Sequence, residues 1–286
     1  GGTSVYGDKD IPSFSFLTSA VAEAGVGDFT ATRLRKALAG KSLKVAPAIN
    51  SEGQRITGTS SVKDLETMLQ LTHLYFTSPR KDSVAFEGMM NRTLSLLKNR
   101  TASSKVVYND SLSAVLYDHN VRMAPVTKEI AEKADYNRIL EIYRERFSDA
   151  SNFKTVFIGK IDMSQLRPLL CQYLATLPAT HKAEKTNKAN VAQIVKKNEV
   201  VKFVRKQETP LANVSVFVTG NVPFSPKNDL TLDMLTRVLQ IAYTDSVRED
   251  EAAQHLLLRA VRLHAGRAAS VGGHQLIRHG GQIRRG

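Results

Sequence analysis

The run DLETMLQLTHLYFTSPRKD, residues 64–82, constrains the fold more than any other part of this chain. Leu65, Met68, Leu69, Thr72 and Phe76 recur at steps of three and four with Leu71 and Tyr75 beside them, which is the spacing of one helical face. A face of that width is stable only against a second layer. Pro79 cannot donate a backbone hydrogen bond and pushes its predecessor out of the helical region. The spacing therefore predicts a helix over 62–77 and another over about 82–99. Two long helices joined by a tight polar corner predict a sheet beneath them.

The flanking segments can supply that sheet. Residues 42–49 and 55–59 border the turn Asn50-Ser-Glu-Gly53 and are expected to pair as an antiparallel hairpin. Ahead of them, 11–24 predicts a helix with Pro12 in its first turn and Gly25 and Gly27 as its stop, and 30–39 a shorter one ended by Gly40. A polar stretch, 100–109, leads into a less regular region. Then come a helix over 137–147, an apolar strand over 153–161, and a helix over 164–177 with Pro168 in its early turns and Pro178 after it.

Residues 1–179 thus read as one nearly complete α+β domain, with an antiparallel sheet and its helices on one face. Residues 180–190, THKAEKTNKAN, carry no large apolar side chain and read as a linker. Residues 191–251 read as the opening of a second domain, with strands over 200–205 and 213–219. A helix over 230–248 follows, placing Leu232, Leu235, Val238, Leu239 and Ala242 on one face.

The net charge of +13 on 286 residues raises the question of nucleic acid, and its distribution answers it. Residues 252–286 hold six arginines, four of the seven histidines and no acid, which leaves +7 on the rest. That tail has no Phe, Tyr or Trp on which bases could stack, and the basic run Lys182 to Lys206 reads as a solvated connector. Nucleic acid is not an expected partner. No run of about 18 apolar residues offers a membrane span. The start GGTSVYGDKD shows neither the basic nor the apolar region of an export signal, so a soluble chain is expected and the compartment stays open. The single Cys171 is expected as a small buried apolar residue of its helix.

Four segments in order, GGTSVYGDKDIPS, RKALAGKSLKVAPAI, GTSSVKDLETMLQLTHLYFTSPRKD and FIGKIDMSQLRPLLCQYLATLP, resemble the second half of pitrilysin/insulinase-type zinc metallopeptidases, the large bacterial members above all. The resemblance covers about residues 1–251. It implies a clamshell of four related α+β domains, of which the first carries an inverted His-x-x-Glu-His zinc motif and the later ones are degenerate. This chain would be most of the third domain and the opening of the fourth.

Zinc hydrolysis of a peptide needs two histidines four apart on one helical face, a glutamate between them to activate water, and a distal carboxylate. No such set exists here. The corresponding helix, SFLTSAVAEAG within 13–25, offers only Glu23. His73 and His119 have no histidine four residues away, and the pairs His255/His264 and His274/His279 lie nine and five apart without a neighbouring acid or cysteine. No metal or catalytic residue is therefore assigned to this chain, which is expected to be inactive alone. The resemblance places zinc in the parent protein's absent N-terminal half.

The implied function is a non-catalytic portion that encloses and positions a peptide substrate, with that N-terminal half or a separate catalytic chain as partner. A structural subunit of a two-chain peptidase and a polyanion-binding module are the alternatives.

One site residue follows from the resemblance. The helix ending YTDSVREDE carries Arg248 where the family holds a substrate-binding arginine, and His255 stands where the family's tyrosine would be, seven residues on. A helix-end arginine paired with Glu249 or Glu251 is the structural alternative. Beyond Glu251 the sequence departs from the family, and residues 252–286 are expected to be a non-native tail, of the kind a GC-rich gene yields in another frame. An arginine-rich arm is the alternative.

Overall fold

The computed structural model describes residues 1–206, 211–220, 222–223, 225–243, 255–258 and 269–279. They fall into two compact units. Gly1–Thr101 packs with Ala124–Ala192, and Ala102–Met123 packs with Gln193–Gly286.

The first unit is built from α1 (Ile11–Ala24), α2 (Ala31–Ala37), β1 (Leu43–Ile49), β2 (Gln54–Ser60), α3 (Leu65–Thr77) and α4 (Ser83–Lys98). The chain then passes through α5 (Ser104–Leu116), which belongs to the second unit, and returns as α6 (Lys128–Glu132), α7 (Tyr136–Phe147) and α8 (Met163–Tyr173). Helices α1 and α3 lie against the β1–β2 hairpin, which gives the α+β layering that the periodicity requires.

Local chemistry sets the element ends. Pro12 sits in the first turn of α1, and Gly25 closes that helix at φ +82°, where an added Cβ would come within 2.1 Å of the Phe29 carbonyl. Thr30 caps α2 by accepting from the Arg33 amide. In the hairpin, Asn50 Oδ1 accepts from the amides of Glu52 and Gly53 at 2.9 and 2.8 Å.

The corner after α3 works as a clasp. Asp82 caps α4 by accepting from the Ala85 amide at 3.0 Å, its own amide donates to the Tyr136 hydroxyl at 2.9 Å, and Lys81 reaches Asn137 at 2.7 Å. Phe86 stacks on Tyr136 with ring centres 4.3 Å apart, so the start of α4 is bound to the start of α7.

The core forms where α1, α3 and α7 meet. Leu17, Leu69, Ile139, Leu140, Ile142, Tyr143 and Phe147 are fully buried there. On α3 the buried residues are Met68, Leu69, Leu71 and Tyr75, while Thr72 and Phe76 are only half-buried. The packed face is thus rotated toward the residues that the spacing rule placed at its side.

Three expectations differ from the structure for physical reasons. Residues 153–161 form no strand, because among the described residues no strand lies beside them to complete a ladder. Cys171 is exposed, since α8 turns Leu166 inward and leaves Cys171 on its outer face. Helix α5 lies in a stretch read as polar and irregular, because Ser, Lys, Asn and Asp interrupt its apolar positions. Helix α8 also ends at Tyr173, four residues before the expected end.

The polar segment 180–190 is bound along its length to the first unit. Asp149 accepts from the Thr180 amide at 3.0 Å and from the Thr180 hydroxyl, and Asn152 donates to the Lys182 carbonyl at 2.9 Å. Glu184 accepts from Gln54 at 2.9 Å and pairs with Arg146 at 3.1 Å. Asn190 donates to the carbonyls of Ser4 and Tyr6 at 2.7 and 3.1 Å. Its polar composition therefore serves hydrogen bonding as well as solvation.

The second unit holds α5, β3 (Leu211–Gly220), α9 (Pro226–Tyr243), β4 (His255–Leu258) and β5 (Ala269–His279), with the strands in antiparallel order β3-β5-β4. Strand β3 covers the expected strand 213–219, and α9 covers 230–243 of the expected helix; residues 244–248 of that helix lie outside the described residues. The expected strand 200–205 carries no ladder and is exposed. Among the described residues, no helix is long and apolar enough to cross a membrane.

Candidate functional site

A groove of about 1040 Å³ opens in the first unit beside β2. Strand β2 forms one wall and residues 153–162 the other, with Met68, Leu69, Phe76 and Leu166 along its floor. Arg55, Lys154 and Lys160 are also among its lining residues. Its lining is mixed, with Gln54, Asp162 and Gln165 beside the apolar residues.

Helix α1 occupies the position that the resemblance gives to a zinc helix, and its chemistry is that of a packing element. Ser13, Phe16, Leu17, Ala20, Val21 and Ala24 form its buried face. Its one carboxylate, Glu23, points outward and pairs with Arg92 at 3.1 Å. Small and apolar side chains fill the space that imidazoles and a carboxylate would need. Among the described residues, no three His, Cys, Asp or Glu side chains are grouped to hold a metal ion. Zinc therefore does not fit these residues.

The histidines have local bonding roles. His73 Nδ1 donates to the Tyr173 carbonyl at 2.8 Å and ties α3 to α8. His119 adopts a left-handed backbone, φ 56°, and its amide donates to the Ala114 carbonyl at 2.7 Å, closing the end of α5. Arg248, Glu249 and Glu251 lie outside the described residues. His255 opens β4, its backbone opposite Ile277.

Sequence reasoning passed over the cluster that anchors 180–190. Asp149 is 7% exposed, and it accepts from the Ser151 amide at 3.0 Å, the Ser151 hydroxyl at 2.5 Å and Asn152 Nδ2 at 3.2 Å, besides its two bonds from Thr180. The Ser151 hydroxyl first, and the Thr180 hydroxyl next, hold its carboxyl well below the usual carboxylate range. Asp149-Ala-Ser151-Asn is a local turn signal that could have been read; Thr180, some thirty residues on, could not.

A second buried polar group ties the N-terminal turn to α7. The Tyr6 ring lies between Arg138 and Arg146, each guanidinium 5.4 Å from its centre, and its hydroxyl donates to Glu145 at 2.5 Å. Burial first, and that bond second, push the Tyr6 hydroxyl above its ordinary range.

A peptidase-like α+β unit whose would-be ligand helix is packed shut is the class that this fold and site define. The model of the peptidase M16 inactive domain matches residues 133–275, half of the chain, and the chain belongs to that family. It is 22% identical over 242 residues to the probable zinc protease PqqL of Haemophilus influenzae, a match that covers 84% of this chain and 25% of that protein. The crystal structure of the periplasmic protease PqqL from Escherichia coli superposes with a TM-score of 0.78 at 18% identity, over 96% of this chain and 30% of that one. A protease from Helicobacter pylori superposes with a TM-score of 0.68 at 12% identity, over 98% and 67%. The chain thus spans about a quarter of the length of the curated relative.

Proposed function

We propose that this chain is a non-catalytic part of a zinc-dependent peptidase, which encloses a peptide and positions it for a zinc site carried outside these residues. The observation that supports this most directly is helix α1. Its buried face is made of Ser13, Phe16, Leu17, Ala20, Val21 and Ala24, and the helix carries no histidine. A domain that has lost its metal ligands but kept its core can still shape a chamber wall.

The purified chain, assayed with added Zn²⁺ on an unfolded peptide, is expected to give no turnover above a blank. Robust cleavage that a chelator abolishes would overturn the proposal.

Within this reading Arg248 is the substrate-positioning residue. A guanidinium stays charged at any working pH and presents a planar fork of donors, which suits a peptide carbonyl or a developing oxyanion. In the full-length protein, Arg248→Ala is expected to lower kcat/KM by about 100-fold, with Arg248→Lys restoring only part of it. An unchanged kcat/KM with a lowered melting temperature would instead make Arg248 a helix-end residue.

A second reading is a partner subunit of a two-chain peptidase. It draws on the Helicobacter pylori protease, a chain only about half as long again as this one. Sedimentation with a chain bearing His-x-x-Glu-His separates the two, because only a partner subunit forms a complex from separate polypeptides.

A further inference from the structure

We infer that the solvent face of the β1–β2 hairpin, continued by α2, is a docking surface for an acidic polypeptide segment. The inference goes beyond the peptidase reading and does not rest on it, because the face binds whether or not the protein cleaves what it holds.

Charge carries the first step. Residues 29–63 hold three arginines and four lysines against one acid, Glu52. All seven cations are exposed, and none of them makes an ion pair among the described residues. Elsewhere in the unit cations are paired, as Arg92 is with Glu23, Lys128 with Glu132, Arg138 with Asp10 and Arg146 with Glu184. The carboxylates nearest this stretch are already engaged. Asp64 is 4% exposed and accepts from the Ser42 amide at 2.9 Å and the Ser61 hydroxyl at 2.6 Å, and Glu66 accepts from the Tyr173 hydroxyl at 2.8 Å.

Hairpin register gives the face its layout. Val45, Pro47 and Ile56 turn toward the helices, so Lys44, Ala46, Ala48, Arg55, Thr57 and Thr59 share the opposite side. Lys44 stands opposite Thr59 and Arg55 opposite Ala48. Four strand residues separate the two cations, about 13 Å along the strands. Only small or hydroxylated side chains lie between them. At the α2 end, Lys41, Ser42, Lys44, Thr59 and Ser60 border a recess of about 480 Å³, where Lys41 donates to the Thr67 hydroxyl at 3.1 Å. Leu34 and Leu38 of α2 pack on the core, which leaves Arg33, Arg35 and Lys36 on the outside.

This chemistry selects the partner. Cations held four strand residues apart match carboxylates spaced likewise on an extended chain laid over the face, and Thr57 and Thr59 add hydroxyl donors between them. The hairpin face carries no aromatic ring on which a nucleic-acid base could stack. Nor does it carry an apolar side chain larger than alanine that could enter a lipid layer.

Fluorescence anisotropy of the 286-residue chain with a labelled peptide of alternating Glu and Ser tests this. The combined variant Lys41→Ser/Lys44→Thr/Arg55→Thr is expected to bind about tenfold more weakly than wild type. Lys9→Ser/Lys133→Ser/Arg144→Ser removes the same charge elsewhere and should change the affinity by less than about twofold. In the wild type, bound peptide should slow acetylation of Lys36, Lys41 and Lys44 and leave that of Lys9 and Lys133 unchanged, a readout that stands even if the combined variant fails to fold.

Equal loss in the two variants overturns the inference, since net charge alone would then account for the binding. So does an absence of binding, or binding that leaves Lys36, Lys41 and Lys44 unprotected. A DNA duplex of matched charge or a phosphatidylglycerol vesicle that binds more tightly and protects the same lysines overturns it as well, by making the partner a nucleic acid or a membrane.

Discussion

Phe147→Ala is expected to destabilise the first unit by about 3–5 kcal/mol, the range for truncating a buried aromatic. Phe147 is 1% exposed and lies at the centre of an aromatic cluster. Its ring stacks on Tyr143 at 4.5 Å, meets Phe76 edge-on at 6.2 Å and lies 5.8 Å from Phe153. Alanine would leave a void that those neighbours cannot close, because each is tethered from another direction. Tyr143 donates its hydroxyl to the Tyr75 carbonyl at 2.8 Å, and Phe153 marks the end of the groove wall. The loss therefore combines the transfer of the ring with a cavity and with broken ring contacts. Phe147→Leu, which keeps most of the volume, should cost clearly less. Urea unfolding of both variants with an unchanged m-value checks this, and equal stability for alanine and wild type would mean that the cluster is not the core.

Asp149→Ala is expected to free residues 180–190 from the body of the first unit. Cleavage at Lys182 and Lys185 by trypsin should rise by roughly tenfold or more, because opening of that segment would no longer break the Asp149 bonds. The same cluster makes the segment acid-sensitive. Asp149 titrates below its unfolded value of about 3.9, so its contribution is fully present above that value and is lost as the pH falls toward the depressed one. Amide exchange of 180–184, corrected for intrinsic rates, should therefore accelerate between about pH 4 and pH 2 in the wild type. Asp149→Ala should show the fast rate throughout. Asp149→Asn should lie between them, since an amide retains one acceptor oxygen of the two that Ser151 and Thr180 use. A tryptic rate unchanged in Asp149→Ala would mean that Glu184 and Asn190 hold the segment without it.

Periodicity located most of the helices because amphipathic helices announce themselves over many residues. Helices α1, α3, α4 and α7 follow their apolar spacing, and Pro12, Gly25, Gly40 and Pro79 mark ends that backbone chemistry enforces. It failed at α5, whose apolar stripe is broken by polar residues, and at 153–161. A strand has no ladder without a neighbour, and no local pattern reveals whether that neighbour is present. The candidate site was less legible. The absence of His-x-x-Glu-His could be read directly, but the Asp149–Thr180 knot joins residues some thirty apart through contacts that composition does not encode.

Residue order alone was enough for the layer type, for the positions of α1, α3, α4 and α7 and for the absence of histidine from α1, because each rests on short-range spacing or on which side chains exist. Tertiary structure decided which side of α3 faces the core, that Cys171 lies outside, that 180–190 is bonded down, and that the cations of α2 and the hairpin stand without carboxylate partners among the described residues. Those are properties of surfaces brought together over long sequence distances. Burial and hydrogen-bond partners are set there, and only there does the unpaired basic face of the hairpin become visible.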